Sequence, residues 1–440
     1  MSTVSESSPL HDKKVQKAWT MYDWANSVYS LVITTTIFPI FYNALTTVKD
    51  DAGNILEDTV TFWGMEFVNT QLYSYVLATS FVLVIILSPL LSGMADYAGK
   101  KLTFMKVFCY AGAAGCISMF WFNPDRLEWS MASLFLANIG FWGSLGFYNA
   151  YLPEIAPPEE HDKLGARGYV MGYIGSVLLL LVCLAIILGV GNHLTKWAFV
   201  LVGVWWVSWA QPAFRKLPSN PYGHRPAGNL LTQGFKELRQ VAKDLNGQLH
   251  LTRYMASFFI MSMAIQTIML MATSFGIKEV QLTSSELIVA TLLVQVVAIP
   301  GAFFVAWLSG RFGNIRALAC CIMAWCAVCV YAYWFATSKE GFYVAAAVIG
   351  FMMGGTQSLN RSTYSKLLPE TEDHASYFSF YEVLEKGGLV IGMFGWGYIE
   401  GITGSMRNSI LALVGLFAIA FVVLRFVPKA YRGRELPSLA

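Results

Sequence analysis

The feature that most constrains this chain is a series of apolar runs, each long enough to cross a lipid bilayer. About 20 helical residues at a rise of about 1.5 Å cover the hydrocarbon core. Apolar residues make up 56% of the sequence and charged residues only 13%, against a usual charged share of about 25%. We therefore predict an all-α integral membrane protein with twelve transmembrane helices, at residues 19–45, 71–94, 102–122, 129–152, 168–190, 194–214, 252–277, 286–309, 316–337, 341–365, 377–399 and 407–427.

The basic residues predict which side of the membrane holds the two termini. An even number of spans places both termini on one side, and cytoplasmic loops retain most Lys and Arg. Of the thirty basic residues, only six fall in the opposite loops, namely Lys49, Arg126, Lys196, Lys278, Lys339 and Arg407. We therefore expect both termini in the cytoplasm, with tails at residues 1–18 and 428–440.

The second half of the sequence repeats features of the first. A Gly in a short turn, a Leu-Pro-Glu run and a pair of small residues each recur at an offset of 214 or 216 residues. The paired positions are Gly99 and Gly313, 152–154 and 368–370, and Gly172 with Ser176 and Gly388 with Gly392. Such a parallel repeat is the layout of major facilitator transporters, and it predicts six-helix bundles at residues 19–214 and 252–427.

A polar linker at residues 215–251 separates the two predicted bundles. Residues recur in it at helical spacing: Leu231, Phe235, Leu238, Ala242 and Leu245 are apolar, and Lys236, Arg239 and Lys243 lie among the polar positions. This pattern predicts an amphipathic helix that lies against the membrane or against the bundle.

Composition also argues against several classes of function. A net charge of +3 gives no reason to expect nucleic-acid binding. All seven cysteines lie in apolar runs, and Cys326-x-x-Cys329 has no His or carboxylate in its span, so we expect neither a metal site nor a cofactor. The sequence lacks a Gly-x-x-x-x-Gly-Lys-Ser/Thr run, which argues against ATP as the energy source.

The first span carries a carboxylate, Asp23, close to its start. An acidic side chain within a span costs about 3 kcal/mol or more unless it faces a partner or a wet cavity. Asp23, Asn26 or Ser27, Ser30 and Thr34 recur at helical spacing and form one polar stripe. The stripe favours a position on a solute pathway. The alternative is that Asp23 lies shallow and caps or pairs at the cytosolic boundary.

Span 4 contains two amides, Asn138 and Asn149, which lie three helical turns apart on one face. Buried amides need hydrogen-bond partners. Two interpretations stay open for this pair: hydrogen bonds between helices, worth about 1 kcal/mol, or contact with a substrate.

Spans 10 and 11 hold the densest intramembrane charge. Span 10 presents Gln357, Asn360, Arg361 and Tyr364 on one face, span 11 presents Ser379, Glu382, Glu385 and Lys386, and span 7 adds Gln266. Glu382 and Lys386 form an i,i+4 pair, and we expect Arg361 to lie near Glu382 or Glu385. The cluster is interpreted either as a structural ion-pair network or as a substrate or proton site, and a gate that breaks and reforms would be both.

Two short turns are candidate gates. Their residues are Asp96, Gly99, Lys100 and Lys101 between spans 2 and 3, and Arg311 in the corresponding turn of the second half. Asp96 can accept hydrogen bonds from the N-terminus of a neighbouring helix, whereas Gly310 occupies the equivalent position in the second half. The alternative for the first turn is a plain basic turn at the membrane surface.

Three motifs resemble those of the "unknown major facilitator" branch of the major facilitator superfamily, bacterial relatives of the fungal vacuolar amino-acid effluxers. They are Tyr-Asp-Trp-Ala-Asn-Ser at residues 22–27, Phe-Tyr-Asn-Ala-Tyr-Leu-Pro-Glu at 147–154 and Gly-Gly-x-Gln-x-Leu-x-Arg-Ser at 354–362. The resemblance implies that Asp96 latches the cytosolic ends of the two bundles. Relatives carry an Asn-Asp pair in span 7 where this chain has Ser262 and Met263, so we conjecture that the acid has moved to span 11, to Glu382 or Glu385.

These features together favour a secondary transporter that works by alternating access. By resemblance, the substrate is a small polar solute, with an amino acid or similar zwitterion as the best guess. Its ammonium would meet Asp23 and its carboxylate would meet Arg361. The coupling ion, if there is one, is expected to be the proton. We expect a monomer in the bacterial inner membrane, in contact with its lipids.

Two other classes of function are weighed against this one. An integral-membrane enzyme acting on lipids or prenyl chains needs clustered acids or histidines for a metal. The only Asp-Asp pair, at residues 50–51, lies in an outer loop, 46–69, which is expected to be a solvated cap without chemistry. The third class is a transporter-shaped sensor without flux, which the sequence does not separate from a transporter.

Overall fold

The computed structural model describes residues 12–49, 55–219 and 229–428. Within these ranges, eleven helices are long and apolar enough to cross a membrane. A further helix, His374–Thr403, has 30 residues but contains Glu382, Glu385 and Lys386, which lower its apolar character. The twelve helices are α1 Lys13–Thr46, α2 Asn69–Ala98, α3 Lys101–Trp121, α4 Leu127–Asn149, α5 His161–Gly189, α6 Thr195–Lys216, α7 Leu249–Val280, α8 Ser284–Phe312, α9 Asn314–Phe335, α10 Lys339–Leu367, α11 His374–Thr403 and α12 Met406–Leu424.

These helices correspond to the twelve predicted spans, and the predicted all-helical membrane fold is confirmed. The largest differences lie at the starts of α1 and α5, which begin before the apolar sequence does. α1 extends into the predicted tail because Asp12 caps it, accepting the backbone N–H of Lys14 at 2.8 Å. Parts of both predicted tails, at residues 1–11 and 429–440, lie outside the described residues.

The middle of α1 is wound more loosely than a regular α-helix. Residues Tyr29–Ile37 form a π-helix, in which each N–H bonds five residues back. Pro39 follows this segment and has no N–H to donate to Thr34, five residues earlier. The Tyr73 hydroxyl of α2 donates to the Thr34 carbonyl instead, at 3.0 Å. A neighbouring helix therefore supplies a hydrogen bond that α1 cannot make internally.

Two small hairpins occupy the outer loop after α1. Strand β1 (Val48–Lys49) pairs with β2 (Ile55–Glu57), and β3 (Thr59–Phe62) pairs with β4 (Met65–Val68), both antiparallel. The prediction of a solvated cap did not include these strands, which are too short to give a clear alternating pattern. Asp50 and Asp51 lie outside the described residues.

The same pairs of helices are in contact in each half of the chain. In the first half, α1 packs against α5 and α6, and α4 packs against α2 and α3. In the second half, α7 packs against α11 and α12, and α10 packs against α8 and α9. The two six-helix bundles meet along α2 with α11 and along α5 with α8.

A helix of 18 residues, Leu230–Gly247, precedes α7 and is named the linker helix. It packs mainly against α2. Its buried side chains include Val241 and Leu245, whereas Phe235, one of the apolar positions of the predicted pattern, is 60% exposed. The linker prolines Pro221 and Pro226 and the basic Arg225 lie outside the described residues.

Candidate functional site

Arg361 of α10 lies where the two bundles meet, and only 2% of its surface is exposed. Its Nη1 donates to Asn149 Oδ1 at 3.1 Å, and its Nη2 donates to the Gly165 carbonyl at 3.0 Å. Nη2 also lies 3.6 Å from Asp23 Oδ2, which accepts a hydrogen bond from the Tyr148 hydroxyl at 2.6 Å. All of these partners belong to the first half. Because buried charges need partners, the Asp23–Arg361 ion pair links the halves.

Three aromatic rings surround the Arg361 guanidinium. Its central carbon lies 4.4 Å from the ring centre of Tyr169, 4.8 Å from that of Trp19 and 5.5 Å from that of Tyr148. Trp19 and Tyr148 stack with their ring centres 4.5 Å apart, and the Trp19 indole N–H donates to the Tyr148 carbonyl at 3.0 Å. A desolvated cation–π contact is worth about 2 kcal/mol, so these rings favour a cation at this point.

Glycines on α5 make room for the ion pair. A Cβ added at Gly168 would collide with Asp23 Oδ2 and would lie 3.1 Å from Arg361 Nη2. One turn further along, Gly172 faces Ser27 in the same way. Because Gly168 and Gly172 carry no side chains, α1 and α10 can bring their opposite charges together beside α5.

We expect Gly168→Ala to destabilise the protein although it adds one methyl group. The methyl carbon would displace the Asp23 carboxylate or push α1 away from α5, and overpacking of this kind costs about 1–3 kcal/mol. Thermal unfolding of the purified protein measures the loss. Gly189→Ala on the same helix is the matched control, because nothing lies within 4 Å of its added carbon. Equal melting temperatures for the two variants would contradict the expectation.

A second buried charge cluster is centred on Lys386 of α11. Its ammonium pairs with the Glu382 carboxylate, as the i,i+4 spacing predicts, and with Glu385 Oε2 at 2.6 Å. The Gln266 amide of α7 donates to Glu385 Oε1 at 3.1 Å. The ammonium also lies 4.0 Å from the ring centre of Trp142, which belongs to the first half. This cluster therefore also lies at the interface between the bundles.

Asn149 joins the two clusters. Its Nδ2 donates to Glu382 Oε1 at 2.9 Å, and its Oδ1 accepts from Arg361. The expectation that Arg361 lies near Glu382 or Glu385 is therefore met only indirectly, because the Asn149 side chain lies between Arg361 and Glu382. The ion-pair partner of Arg361 is Asp23 instead, since the guanidinium extends from α10 towards α1 and α5.

The joined clusters contain more acids than bases. Asp23, Glu382 and Glu385 are three carboxylates, whereas Arg361 and Lys386 are two cations. When all five are ionised, one negative charge is in excess in a region that is largely out of contact with water. One bound proton, or one cationic group of a ligand, would neutralise the region.

Of the two further predicted amides, Asn138 links helices, whereas the hydrogen bond of Asn26 lies within α1. Asn26 is buried and accepts from Ser27 Oγ at 3.4 Å, and its Nδ2 has no hydrogen-bond partner among the described residues. Asn138 donates to Ser80 of α2 and accepts from the Tyr29 hydroxyl at 3.3 Å. Asn138 is thus a link between helices, and the structure does not bring it to the charged clusters.

Two predicted residues of α10 contact tyrosines. Gln357 Oε1 accepts from the Tyr173 hydroxyl of the first half at 3.4 Å. The Asn360 carbonyl accepts from the Tyr254 hydroxyl of α7 at 2.9 Å, within the second half. Gln357 therefore adds to the contacts between the bundles, whereas Asn360 fixes α10 to α7.

The end of the bundle that carries the α2–α3 and α8–α9 turns is called the turn end. There the Asp96 carboxylate accepts the backbone N–H groups of Ala375 at 3.2 Å and Ser376 at 2.7 Å, in the first turn of α11. This is the helix N-terminus contact that the sequence predicts. Gly99 ends α2 with a φ of 61°, a conformation that glycine adopts without strain.

The two lysines after Gly99 differ in their surroundings. Lys101 is buried, pairs with Glu154 and lies 4.8 Å from the ring centre of Tyr151. Glu154 Oε1 also lies 3.1 Å from Nδ1 of His374, at the start of α11. Lys100 is exposed. The turn thus contributes both Asp96 and, through Lys101 and Glu154, a second contact with α11.

Arg311 takes no part in these clusters. It is exposed near the end of α8, and its guanidinium carbon lies 5.7 Å from the ring centres of Trp307 and Phe312 in the same helix. The sequence grouped it with the gate residues because of its position in the repeated turn, but the described contacts of its side chain stay within one half.

The acid that the second turn lacks at Gly310 is supplied from across the interface. Asp162, in the first turn of α5, accepts from Ser309 Oγ at 2.7 Å and from Asn314 Nδ2 at 2.9 Å, on either side of the α8–α9 turn. Lys366 of α10 pairs with the same carboxylate at 2.7 Å. The two turns are therefore held by related contacts. At the first turn the accepting acid, Asp96, lies next to the turn itself, whereas at the second turn the accepting acid, Asp162, lies on helix α5 of the other half.

Glu154 lies between two helices, outside the membrane-spanning segments. Burial favours its protonated form, but the Lys101 ammonium and the His374 imidazole hold the pKa of its carboxyl below the usual value. A carboxyl whose pKa is lowered by folding stabilises the protein at pH values above its unfolded pKa, which is about 4.3 for Glu. That stabilisation is lost as the pH falls through the lower folded value.

We therefore expect Glu154→Gln to lower the free energy of unfolding by about 3 kcal/mol at neutral pH, because Lys101 is left buried without its carboxylate. The difference from the wild type should shrink once the pH falls below about 4. Unfolding measured across this range tests both statements. Glu370→Gln, at the exposed repeat-related position, is the control, and a Glu154→Gln deficit that does not change with pH would count against this account.

Several residues of the site were not predicted from sequence. They are Trp19, Tyr148, Gly165, Tyr169, Glu154, Asp162, Lys366 and His374. Glu154 could have been found, because it closes the repeated Leu-Pro-Glu run next to a basic turn. The aromatic residues gave no usable signal, because 15% of the chain is aromatic and aromatic side chains are common both in the core and on the surface of the described residues.

The contacts between the bundles described above involve the half of each helix nearest the turn end. They include the ion pair of Asp23 with Arg361, the cap on α11 by Asp96 and the contacts of Asp162 with the α8–α9 turn. The bundle is therefore closed at the turn end, and the charged clusters lie immediately inside the closure.

Comparison with known protein families identifies the chain. The family model described as "Vacuole effluxer Atg22 like" matches residues 11–435. The chain is 30% identical over 427 residues to the uncharacterized MFS-type transporter YxiO of Bacillus subtilis, covering 94% of this chain and 95% of YxiO. It is 23% identical over 483 residues to autophagy-related protein 22 of Yarrowia lipolytica, covering 88% and 81% of the two chains.

Solved structures share the fold at low sequence identity. The major facilitator transporter FucP, in the outward conformation, matches with a TM-score of 0.71 at 14% identity, over 96% of this chain and 100% of FucP. The proton:xylose symporter XylE matches with a TM-score of 0.69 at 12% identity, over 94% and 95%. The major facilitators are transporters and not enzymes, which removes the lipid or prenyl enzyme considered above. The chain belongs to the Atg22-like family of major facilitator transporters.

Proposed function

We propose that the protein moves a small zwitterionic solute, such as an amino acid, by alternating access with proton coupling. The observation that carries the proposal is the buried Asp23–Arg361 ion pair, which joins the two bundles just inside the turn end. The ammonium group of a solute can replace the guanidinium at Asp23, and its carboxylate can replace Asp23 at Arg361. A zwitterion would therefore exchange one internal ion pair for two.

The geometry of this ion pair supports such an exchange. The 3.6 Å between Arg361 Nη2 and Asp23 Oδ2 exceeds the length of about 2.7–2.9 Å of a strong charge-assisted hydrogen bond. In addition, Arg361 Nε is buried and has no hydrogen-bond partner among the described residues. A solute carboxylate offers two oxygens in a plane and suits an arginine with unused donors.

In alternating access, the turn end acts as the gate on one side of the membrane. Because the bundles meet there through Asp96, Asp162 and the Glu154 cluster, opening this end requires all three sets of contacts to break. We infer that the turn end faces the cytoplasm, since most basic residues lie in the loops and tails on this side. We further propose that the membrane is the plasma membrane of a bacterium, because the chain is 30% identical to an MFS-type transporter of Bacillus subtilis.

The excess negative charge of the clusters supports a proton as the coupling ion. Glu385 is the most accessible of the three carboxylates, with 17% of its side chain exposed, and both Glu385 and Glu382 pair with Lys386. Glu385 is therefore the carboxylate at which we propose that the proton binds. Its binding leaves two carboxylates facing two cations and so favours closure around the site.

We expect Glu385→Gln to abolish accumulation driven by a pH gradient while solute-for-solute exchange persists. The substitution mimics the protonated carboxyl permanently, so the protein can still alternate but can no longer release the proton. Uptake into reconstituted vesicles, with and without a pH gradient, measures both activities. Glu400→Gln is the matched control, because Glu400 lies on the same helix as Glu385 and its carboxylate pairs with exposed Lys278 of α7. Accumulation by Glu385→Gln equal to that of the wild type would remove Glu385 from coupling.

Counterflow in vesicles tests the proposed substrate class. Vesicles that contain the full-length protein are loaded with one unlabelled amino acid and then exposed to a trace of the labelled form. We expect labelled solute to enter for at least one amino acid and for no neutral sugar. Absence of counterflow for every amino acid would contradict the proposal, and binding without counterflow would indicate a sensor.

A further inference from the structure

The linker helix lies level with the ends of two membrane-spanning helices. Its Gly234 packs against Met94 and Gly93, in the last turns of α2, so closely that a Cβ added at Gly234 would lie 2.8 Å from the Met94 backbone nitrogen. Only Gln248 separates the linker helix from α7. The helix is thus held at the boundary of the apolar spans, where lipid headgroups begin.

The linker helix has one buried face, and Phe235 lies at the edge of that face. At about 100° per residue, the buried positions Gly234, Val241 and Leu245 lie within about 40° of one another. Phe235, which is 60% exposed, lies about 100° from Gly234. The other exposed and half-buried positions continue around the helix.

Basic and acidic side chains occupy different sectors of this helix. Exposed Arg239, Lys243 and Lys236 follow Phe235 at about 140° to 200° from Gly234. Asp244 and Glu237 lie beyond them, at about 280° to 300°. The helix therefore presents, in order, an aromatic side chain, a basic stripe and an acidic edge.

We propose that Phe235 and this basic stripe form a binding surface for anionic phospholipid headgroups at the turn end. An amphipathic helix at the membrane boundary places apolar side chains at the level of the acyl chains and basic ones among the headgroups. Negatively charged lipids attract each nearby Lys or Arg. They repel the acidic edge, so the helix is oriented with its basic stripe towards the headgroups and its acidic edge away from them.

Binding at this surface has a consequence for the two bundles. The linker helix packs against α2 of the first half and continues through one residue into α7 of the second. A lipid surface that holds this helix in the plane of the membrane also holds the end of α2, close to Asp96. Anionic lipid therefore favours the arrangement with a closed turn end.

Hydrogen–deuterium exchange of the full-length protein in lipid nanodiscs tests the proposal. Exchange in residues 230–247 is compared between discs of phosphatidylcholine and discs that also contain phosphatidylglycerol. We expect exchange to slow by about tenfold or more with the anionic lipid at low salt, and the slowing to weaken at high salt. The variant K236Q/R239Q/K243Q should lose the slowing, and Phe235→Gln should reduce it.

The control variant K14Q/K17Q/K163Q removes three exposed lysines elsewhere on the protein and should keep the effect. Unchanged exchange in α4, which does not pack against the linker helix, shows that each variant is folded. Equal exchange of the wild type in both lipids, or equal slowing in K236Q/R239Q/K243Q, would overturn the proposal. Slowing by soluble polyglutamate in phosphatidylcholine discs, without an effect of phosphatidylglycerol, would assign the surface to an acidic protein instead.

Discussion

Replacing Arg361 with Gln is expected to reduce solute transport by more than about 100-fold. The substitution leaves Asp23 buried opposite a neutral side chain and removes the donors to Asn149 and Gly165. Loss of one partner from a buried ion pair costs about 3–5 kcal/mol, and each 1.4 kcal/mol corresponds to about tenfold in an equilibrium constant. Arg361→Lys should also fail, because an ammonium cannot hold two carboxylate oxygens side by side.

A double variant separates transport from stability. Asp23→Asn alone should destabilise the protein for the same reason as Arg361→Gln, whereas the combined variant carries neither charge and should recover much of the melting temperature. It should still not transport, since neither charged group of a zwitterion finds its partner. Counterflow and thermal unfolding of the three variants measure this, with Lys278→Gln at an exposed ion pair as the control. Transport by the double variant would exclude the pair from solute binding.

Lys386→Met is expected to have the largest effect on stability, lowering the free energy of unfolding by about 3–5 kcal/mol. The ammonium is 1% exposed and lies between Glu382 and Glu385. Without it, two neighbouring carboxylates remain at the interface with only amide partners, Asn149 and Gln266. Thermal unfolding of the purified variant gives the result directly.

The triple variant K386M/E382Q/E385Q is the informative control for this prediction. It removes the acids along with the base, so most of the lost stability should return. Lys339→Met, which breaks an exposed ion pair with Glu286, should change the melting temperature little. A Lys386→Met protein as stable as the wild type would show that the cluster is open to water and does not form the closed interface described here.

The fold followed from the sequence because it depends on features that are local and repeated. Twelve apolar runs each dictate one helix, since a backbone in lipid must satisfy its hydrogen bonds internally. The duplication could be recognised from three features at nearly one offset, and the same helix pairs meet in each half. The short hairpins before α2 were missed because strands of two to four residues carry no clear period.

The site was only partly predictable, because it depends on which helices meet. The charged residues of spans 1, 10 and 11 were identified from the cost of burying them, but their pairing was not. Spacing along α11 indicated Glu382 with Lys386, whereas the partner of Arg361 lies 338 positions away at Asp23. The contact of Asp162 with the α8–α9 turn was hidden for the same reason, since its carboxylate and its partners lie in different halves.

Distance measurement across the turn end tests whether the two halves separate there when the Asp23–Arg361 ion pair opens. Spin labels at Lys163→Cys on α5 and Arg311→Cys on α8, both exposed, report the separation of the halves after the accessible Cys320 and Cys326 are replaced. In vesicles with a transported amino acid, we expect a second, longer distance in the wild type and only the short one in Arg361→Gln. A single short distance in the wild type under every solute and pH would contradict a pathway that opens through the Asp23–Arg361 ion pair.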